Sequence, residues 1–180
     1  MITIILTGGQ SRRMGRDKAA LPLDGKPMAL RLAECFAPLG DVAFAVNEAG
    51  RFDTGGFAEL VDRYPNQGPL NGLVSALYDS GEETVLLLAT DMPAVTTEAA
   101  AILAEAIGDH DACVYADEPL FGLYRRRCLP VAEACLKEGR NAMRGFLERI
   151  DVLYGPLENK ELVLNLNTPE DYERYKKRTV

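Results

Sequence analysis

The residues best suited to chemistry lie in one short stretch, Leu6-Thr7-Gly8-Gly9-Gln10-Ser11-Arg12-Arg13-Met14-Gly15-Arg16-Asp17-Lys18. Arg12, Arg13, Arg16 and Lys18 crowd its second half, in a chain whose 20 Lys and Arg are outnumbered by 27 Asp and Glu. Gly8 and Gly9 let backbone N–H groups come close to an anion. Arginine grips phosphate with two parallel hydrogen bonds, and lysine supplies a compact charge. A polyphosphate suits such a loop; the competing reading is an ordinary solvated charge run. The loop is not the GxxxxGK[ST] phosphate loop, because five residues separate Gly9 from Gly15 and Arg16 follows. Nor is it GxGxxG.

Three further places offer polar groups just after apolar runs. Asn47 carries an amide that can read a base or a ribose, or simply serve a turn. Asp62 is followed by Gln67-Gly68-Pro69-Leu70-Asn71-Gly72, a glycine-containing turn that opens a helix. A helix start favours anions. Asp91, in Thr90-Asp91-Met92-Pro93, stands where a Mg²⁺ ligand would sit. Mg²⁺ is usually held by one or two carboxylates together with substrate phosphates, so one aspartate suffices when a nucleotide brings its own oxygens. A plain strand-end turn is the alternative.

Other chemistries find little support. His110 is the sole histidine, in a turn-like Gly108-Asp109-His110-Asp111 stretch. A multi-histidine metal site within one chain is therefore excluded, and a Ser-His-Asp triad is disfavoured. The four cysteines form no CxxC pair, and all four read as buried apolar thiols in a reducing compartment. A net charge of −7 argues against sequence-independent nucleic-acid binding and against an anionic membrane surface.

These residues need a scaffold. Residues 2–6 and 84–89 are apolar throughout and read as strands buried on both faces. Further strands are expected at 42–46, ending at 60–62, at 112–115, 121–124 and 162–164. Helices are expected at 27–39, 69–78, 97–107 with Thr96 or Thr97 as cap, 128–136, 141–150, and from 168 onward. In the 69–78 helix Leu70, Leu73, Val74, Leu77 and Tyr78 follow the i, i+3, i+4, i+7, i+8 stripe. Thr168 is the expected cap of the last helix, with Pro169 at its first position. Strands alternating with helices predict an α/β fold, an open, mostly parallel sheet with helices on both faces. At 180 residues, 47% of them hydrophobic and 26% charged, the chain is long enough for one folded domain spanning 1–180 and too apolar for disorder. No run approaches the roughly 20 apolar residues of a membrane span, and Met1 to Leu6 lacks the charged start of a signal peptide. A cytoplasmic location is expected. Ligands in such sheets bind at the carboxyl ends of strands, where Thr7, Asn47, Asp62 and Asp91 fall.

Taken in order, the motifs resemble a known family. Leu6-Thr7-Gly8-Gly9 with Arg13-Met14-Gly15 and Asp17-Lys18 is similar to the LAGGxxxRMGxDK signature of the MobA-type molybdenum cofactor guanylyltransferases. Leu23-Asp24-Gly25-Lys26-Pro27-Met28 resembles LxGxPL, and Gly68-Pro69-Leu70-Asn71-Gly72 resembles GPLAG. Thr90-Asp91-Met92-Pro93 resembles CDMP, and the 165–171 segment, Asn-Leu-Asn-Thr-Pro-Glu-Asp, resembles NxNTPED. The likeness runs over essentially the whole chain.

The resemblance implies a Rossmann-like nucleotidyltransferase fold and Mg²⁺-dependent transfer of GMP from GTP to molybdenum-bound molybdopterin, releasing pyrophosphate. It implies that Leu6, Thr7, Gly8, Gly9, Gly15 and Lys18 contact GTP, that Asn47 and Asp62 help hold the nucleoside, and that Asp91 binds both nucleotide and Mg²⁺. Arg13 and Lys18 would neutralise the departing pyrophosphate, and Asn165 and Asn167 would lie on the pterin side. The acceptor phosphate is already an anionic nucleophile, which suits a chain without a catalytic His or Cys. Transient contact with cofactor-delivery proteins is a further expectation. Gly8 favours guanine, since cytidylyltransferase relatives tend to carry alanine there. Thr7, Thr90 and Glu118 depart from the family's alanine, cysteine and histidine, and the 139–144 region, with Arg140 and Arg144 as acceptor-phosphate candidates or plain surface cations, matches loosely. The alternatives are a related enzyme using CTP or another phosphorylated acceptor, or a non-catalytic GTP-binding maturation protein.

Overall fold

The structure is a computed structural model that describes residues 1–7, 20–23, 25–64, 67–155 and 160–179. Five elements build the first half: β1 (Ile2–Leu6), the two-residue strands β2 (Pro22–Leu23) and β3 (Lys26–Pro27), α1 (Met28–Phe36) and β4 (Val42–Val46). Then come β5 (Ala58–Val61), α2 (Pro69–Asp79), β6 (Thr84–Ala89), α3 (Thr97–Ala106), β7 (Ala112–Tyr115) and β8 (Glu118–Arg125). The chain continues through α4 (Leu129–Lys137), α5 (Met143–Leu147) and β9 (Val152–Tyr154) to α6 (Pro169–Thr179).

Seven strands make one sheet in the order β5-β4-β1-β6-β8-β7-β9. The pairs β5–β4, β4–β1 and β1–β6 are parallel, β6–β8 and β8–β7 antiparallel, and β7–β9 parallel. The mostly parallel sheet expected from sequence is thus present, with β8 as the reversed strand.

Alternation along the strands explains the uninterrupted apolar runs. Successive side chains point to opposite faces. Ile5, Leu86 and Leu88 join Phe36, Phe44 and Leu103 on the face covered by α1 and α3. Ile4, Leu87 and Tyr124 join Leu70, Leu73, Leu77 and Phe146 on the face covered by α2, α4 and α5. Both faces are dry, so polar alternation has no place. Truncating Leu87 or Leu88, each fully buried, to alanine would cost about 2–5 kcal/mol of stability.

Local signals set the helix ends. Thr96 caps α3 by accepting from the Ala99 N–H at 3.3 Å. Thr168 accepts from the Asp171 N–H at 3.1 Å while Asp171 accepts from the Thr168 N–H at 3.0 Å, a reciprocal cap on α6. Pro27 lies one residue outside α1, in extended conformation at ψ 136°, and residues 37–39 form a separate 3₁₀ turn around Pro38.

Three expectations fail. The strand expected at 162–164 is a 3₁₀ turn, Lys160–Val163, whose Leu162 and Val163 pack on the α1/α3 core while Leu164 is exposed. A three-residue apolar run has too little length to declare its period. The sheet instead takes Val152–Tyr154, whose register pairs Cys113 with Leu153 on the edge of β7. The helix expected over 141–150 contracts to Met143–Leu147. Cys113, Cys128 and Cys135 are buried as expected, but Cys35 is exposed on α1.

Candidate functional site

Register brings four parallel strands to a level finish. Leu6 pairs with Ala45 on one side and Ala89 on the other, and Val46 pairs with Val61. Thr7, Asn47, Asp62 and Thr90-Asp91 therefore follow side by side along one edge. The order also reverses here: β4 and β5 extend from one flank of β1, and β6 lies on the other. Such a reversal opens the crevice in which α/β sheets bind ligands.

Hydrogen bonds fix the centre of this edge. Thr7 donates to the Ala45 carbonyl through both its N–H, at 3.1 Å, and its hydroxyl, at 2.8 Å. Thr90, 4% exposed, donates its hydroxyl to the Leu6 carbonyl at 2.6 Å. A threonine at this place clasps the ends of β1 and β6. Asp91 follows, half-buried, between Thr90 and the fully buried Met92. Its carbonyl accepts from the Leu166 N–H at 2.8 Å. Asp91 is thereby held from both directions along the chain.

The β5 exit is built against α2. Asp62 donates its N–H to Val46 at 2.8 Å, Arg63 donates to Ser75 Oγ at 3.0 Å, and Tyr64 donates to Asn71 Oδ1 at 3.1 Å. Gly72 lets α2 lie close on the sheet, since a Cβ there would come within 2.4 Å of the Leu6 side chain. Gly68, at φ 74° just before Pro69, makes the sharp entry into α2 in a backbone region that favours glycine. Asp62 Oδ1 is buried without a hydrogen-bond partner among the described residues. Burial pushes the Asp62 carboxyl up to about 6, opposed in part by the Asn71 amide. Asn47, at the end of β4, is exposed.

The far flank is closed by chain returning from the C-terminal side. Asn165 Nδ2 donates to Glu118 Oε2 at 3.4 Å, and Glu118 Oε1 accepts from the Leu120 N–H at 3.0 Å. β8 runs opposite to β6, so its first residue, Glu118, lies at the Asp91 end of the sheet. Asn167 is exposed, with its N–H on Asp171 at 3.2 Å. Leu166 packs with Leu23 and Met28, and Tyr172 and Tyr175 donate hydroxyl hydrogens to Pro22 and Pro93.

Of the residues singled out from sequence, the structure gathers Leu6, Thr7, Asp91 and Asn165 at the centre and sets Asn47 and Asp62 together at the neighbouring strand ends. Gly8, Gly9, Arg13, Gly15 and Lys18 lie outside the described residues. Arg140 pairs with Glu138 at 3.5 Å and Arg144 with Asp117 at 3.8 Å, all well exposed, which suits surface cations. His110, 3.0 Å from Asp151, precedes β7 at the opposite edge of the sheet, so no triad forms around it. No cluster of three or more His, Cys, Asp or Glu fit to hold a metal exists among the described residues. A cation at Asp91 would take one protein carboxylate and draw its remaining oxygens from substrate and water, a set that suits Mg²⁺.

Sequence reading overlooked Asn71, Glu118 in contact with Asn165, and the Leu166 tether. Asn71 sits off the apolar stripe of α2, where a polar residue is expected to face water. It is instead fully buried. Asn165 and Glu118 stand 47 positions apart, and no periodicity links them.

The model of the MobA-like NTP transferase domain matches residues 3–153. A probable molybdenum cofactor guanylyltransferase of Carboxydothermus hydrogenoformans is 35% identical over 181 residues, covering 94% of this chain and 92% of that one. One from Nostoc sp. is 32% identical over 184 residues, covering 95% and 88%. Among solved structures, molybdopterin-guanine dinucleotide biosynthesis protein A of Archaeoglobus fulgidus superposes with a TM-score of 0.85 at 26% identity, covering 99% and 98% of the two chains. The 2-C-methyl-D-erythritol 4-phosphate cytidylyltransferase of Thermus thermophilus shares the fold, with a TM-score of 0.76 at 14% identity over 98% and 97%.

Proposed function

This chain belongs to the MobA-like NTP transferase family, and on that premise we propose that it transfers GMP from GTP to the terminal phosphate of molybdenum-bound molybdopterin. The observation that carries the reading is the level edge itself. The Thr90-Asp91-Met92-Pro93 motif ends β6 beside the end of β1, and the segment bearing Asn165 docks directly on Asp91. Two motifs far apart in sequence, read as serving donor and acceptor, meet at one place, which supports the reading.

The chemistry asks chiefly for positioning and charge neutralisation. An oxygen of the acceptor phosphate attacks the α-phosphorus of GTP. A phosphoanhydride bond forms, the bond to the β-phosphate oxygen breaks, and pyrophosphate departs with that electron pair. Asn47 and Asp62 hold the nucleoside at the ends of β4 and β5. Leu6 and Thr7 contact GTP at the end of β1, Gly8, Gly9 and Gly15 let backbone N–H groups come close to the phosphates, and Arg13 and Lys18 balance the charge on the leaving group. Asn165 and Asn167 orient the acceptor. Asp91 holds nucleotide and Mg²⁺, and the ion, when bound, draws electron density from the phosphates. No proton need leave the nucleophile, so no general base is required. Handing the product to a cofactor-delivery protein would be a brief contact in the cytoplasm. No helix among the described residues is long and apolar enough to cross a membrane.

The test is pyrophosphate release by purified protein with Mg²⁺ and molybdenum-loaded molybdopterin. Release with GTP and not with CTP is expected. Release with CTP alone would overturn the choice of donor. GTP binding without release would overturn the choice of acceptor and favour a maturation protein.

A further inference from the structure

Two buried polar atoms near the β5 exit are orphans of opposite kind. Asn71, 0% exposed at the third residue of α2, accepts from the Tyr64 N–H through Oδ1 at 3.1 Å. That bond sets the orientation of its amide. Its Nδ2 is buried and has no partner among the described residues. Asp62 Oδ1 is likewise buried, with no partner among the described residues. One is a donor without an acceptor, the other an acceptor without a donor, and the Asn71 amide already favours the charged form of Asp62. The surroundings are closed: a Cβ on Gly72 would stand 3.8 Å from Asp62 Oδ1 and run into Leu6.

Among the described residues no charged group is seen to compete for this role. Arg63 is turned away, pairing with Asp79 at 2.8 Å and lying 3.7 Å over the Tyr78 ring. Val46 on β4, Leu6 on β1, Gly72 and Ser75 on α2 and Tyr64 beyond β5 are among the described neighbours, and Tyr64 is the one titratable side chain of that set. The resemblance puts alanine where Asn71 stands, so the interaction belongs to this chain rather than to the shared motif.

We propose that Asn71 is a positioning residue for nucleoside recognition: its Nδ2 is the buried donor available to the inner oxygen of Asp62, and it favours the charged carboxylate that holds the nucleoside. The proposal rests on the reading of Asp62 as a nucleoside-holding residue. Loss of the donor leaves Asp62 in place but lets its inner oxygen take up a proton more readily. The effect therefore depends on pH, which a purely packing role would not.

Two measurements test this. The first follows the Asp62 side-chain carboxyl by ¹³C NMR against pH in nucleotide-free protein. Its midpoint, about 6 in the parent protein, is expected to rise by about half a unit or more in Asn71→Ala. The second measures GTP binding by calorimetry without acceptor, taken as the ratio of variant to parent so that titration of GTP itself cancels. Asn71→Ala is expected to weaken binding near pH 6.5 by about 1.5-fold for a rise of half a unit and about threefold for a full unit, and to recover by pH 8. Asn71→Asp keeps the shape and the bond from Tyr64 while replacing the donor by an acceptor. It is expected to raise the midpoint further, and it carries the test should the alanine variant not fold. A ratio flat with pH, or an unmoved Asp62 midpoint, overturns the proposal. If the parent protein fails to bind GTP while the Asp62 midpoint still moves in Asn71→Ala, the donor assignment is what fails, and Asn71 still governs the carboxylate.

Discussion

On one side of the crevice, β5, β4, β1 and β6 run parallel and end level, so the groups after each strand share an edge because the strands do. On the other side, β8 runs backward, and the site is finished by Glu118 at its start and by residues 165–167 arriving from the far end of the chain. The first side is made by sheet geometry. The second is made by contacts between segments distant in sequence. The contrast teaches that strand register alone can line up the groups proposed to hold the nucleotide, whereas those proposed to hold the acceptor need tertiary docking.

The largest expected effect lies at the junction of the two sides. Asp91→Asn should lower turnover by about 100-fold or more with the fold intact by circular dichroism. A fully active Asp91→Asn protein would break the comparison, because the junction would then not be where the chemistry occurs. Lys18→Ala, in the basic stretch that follows β1 in sequence, should lower turnover by a similar factor, about 100-fold, checked by pyrophosphate release. Substitutions on the reversed side should act on the acceptor alone. Asn165→Ala is expected to raise the KM for molybdopterin about tenfold. Glu118→Gln, which removes a negative charge facing an anionic acceptor, should lower it severalfold. Both should leave GTP affinity unchanged by calorimetry.

A smaller effect concerns stability. The Asp62 carboxyl, raised to about 6 in the folded protein from 3.8, binds its proton more tightly folded than unfolded. Between these values folding therefore loses stability as pH rises, and above about 6 the cost is fully present. Asp62→Asn should raise the melting temperature at pH 8 by about 2–4 °C and show no advantage near pH 4, as read from thermal melts at both pH values. The smallest effect belongs to the β7–β8 turn. Ala116, buried, is held at φ 56°, a region that favours glycine. Ala116→Gly should relieve strain worth about 0.5–1 kcal/mol, partly offset by the freedom glycine gains when unfolded, and raise the midpoint of urea unfolding slightly.

The same contrast explains what could be read from sequence. The 2–6 and 84–89 strands were legible because burial on both faces leaves unbroken apolar runs, and Asp91 was legible because it follows such a run. Asn47 and Asp62 fell into place for the same reason. Asn71 was not, since its burial depends on how closely Gly72 lets α2 approach Leu6. The β9 strand and the 160–163 turn were exchanged because each rests on three or four residues whose state is decided by neighbours far along the chain. Cys35 was misread because its neighbours Leu32, Ala33 and Phe36 carry the buried stripe of α1.

The tether from Leu166 to Asp91 also has a consequence in time. A ribosome delivers Leu166 well after Asp91. A nascent chain can already pair β1, β4, β5 and β6 and clasp Thr90 to Leu6, yet the Asp91 carbonyl lacks its bond from the Leu166 N–H until that segment has emerged and α6 has laid Tyr172 and Tyr175 on Pro22 and Pro93. Competence would therefore switch on late, seconds after the sheet begins to form. A protease that cut just ahead of Leu166 would leave a sheet that looks whole and works poorly.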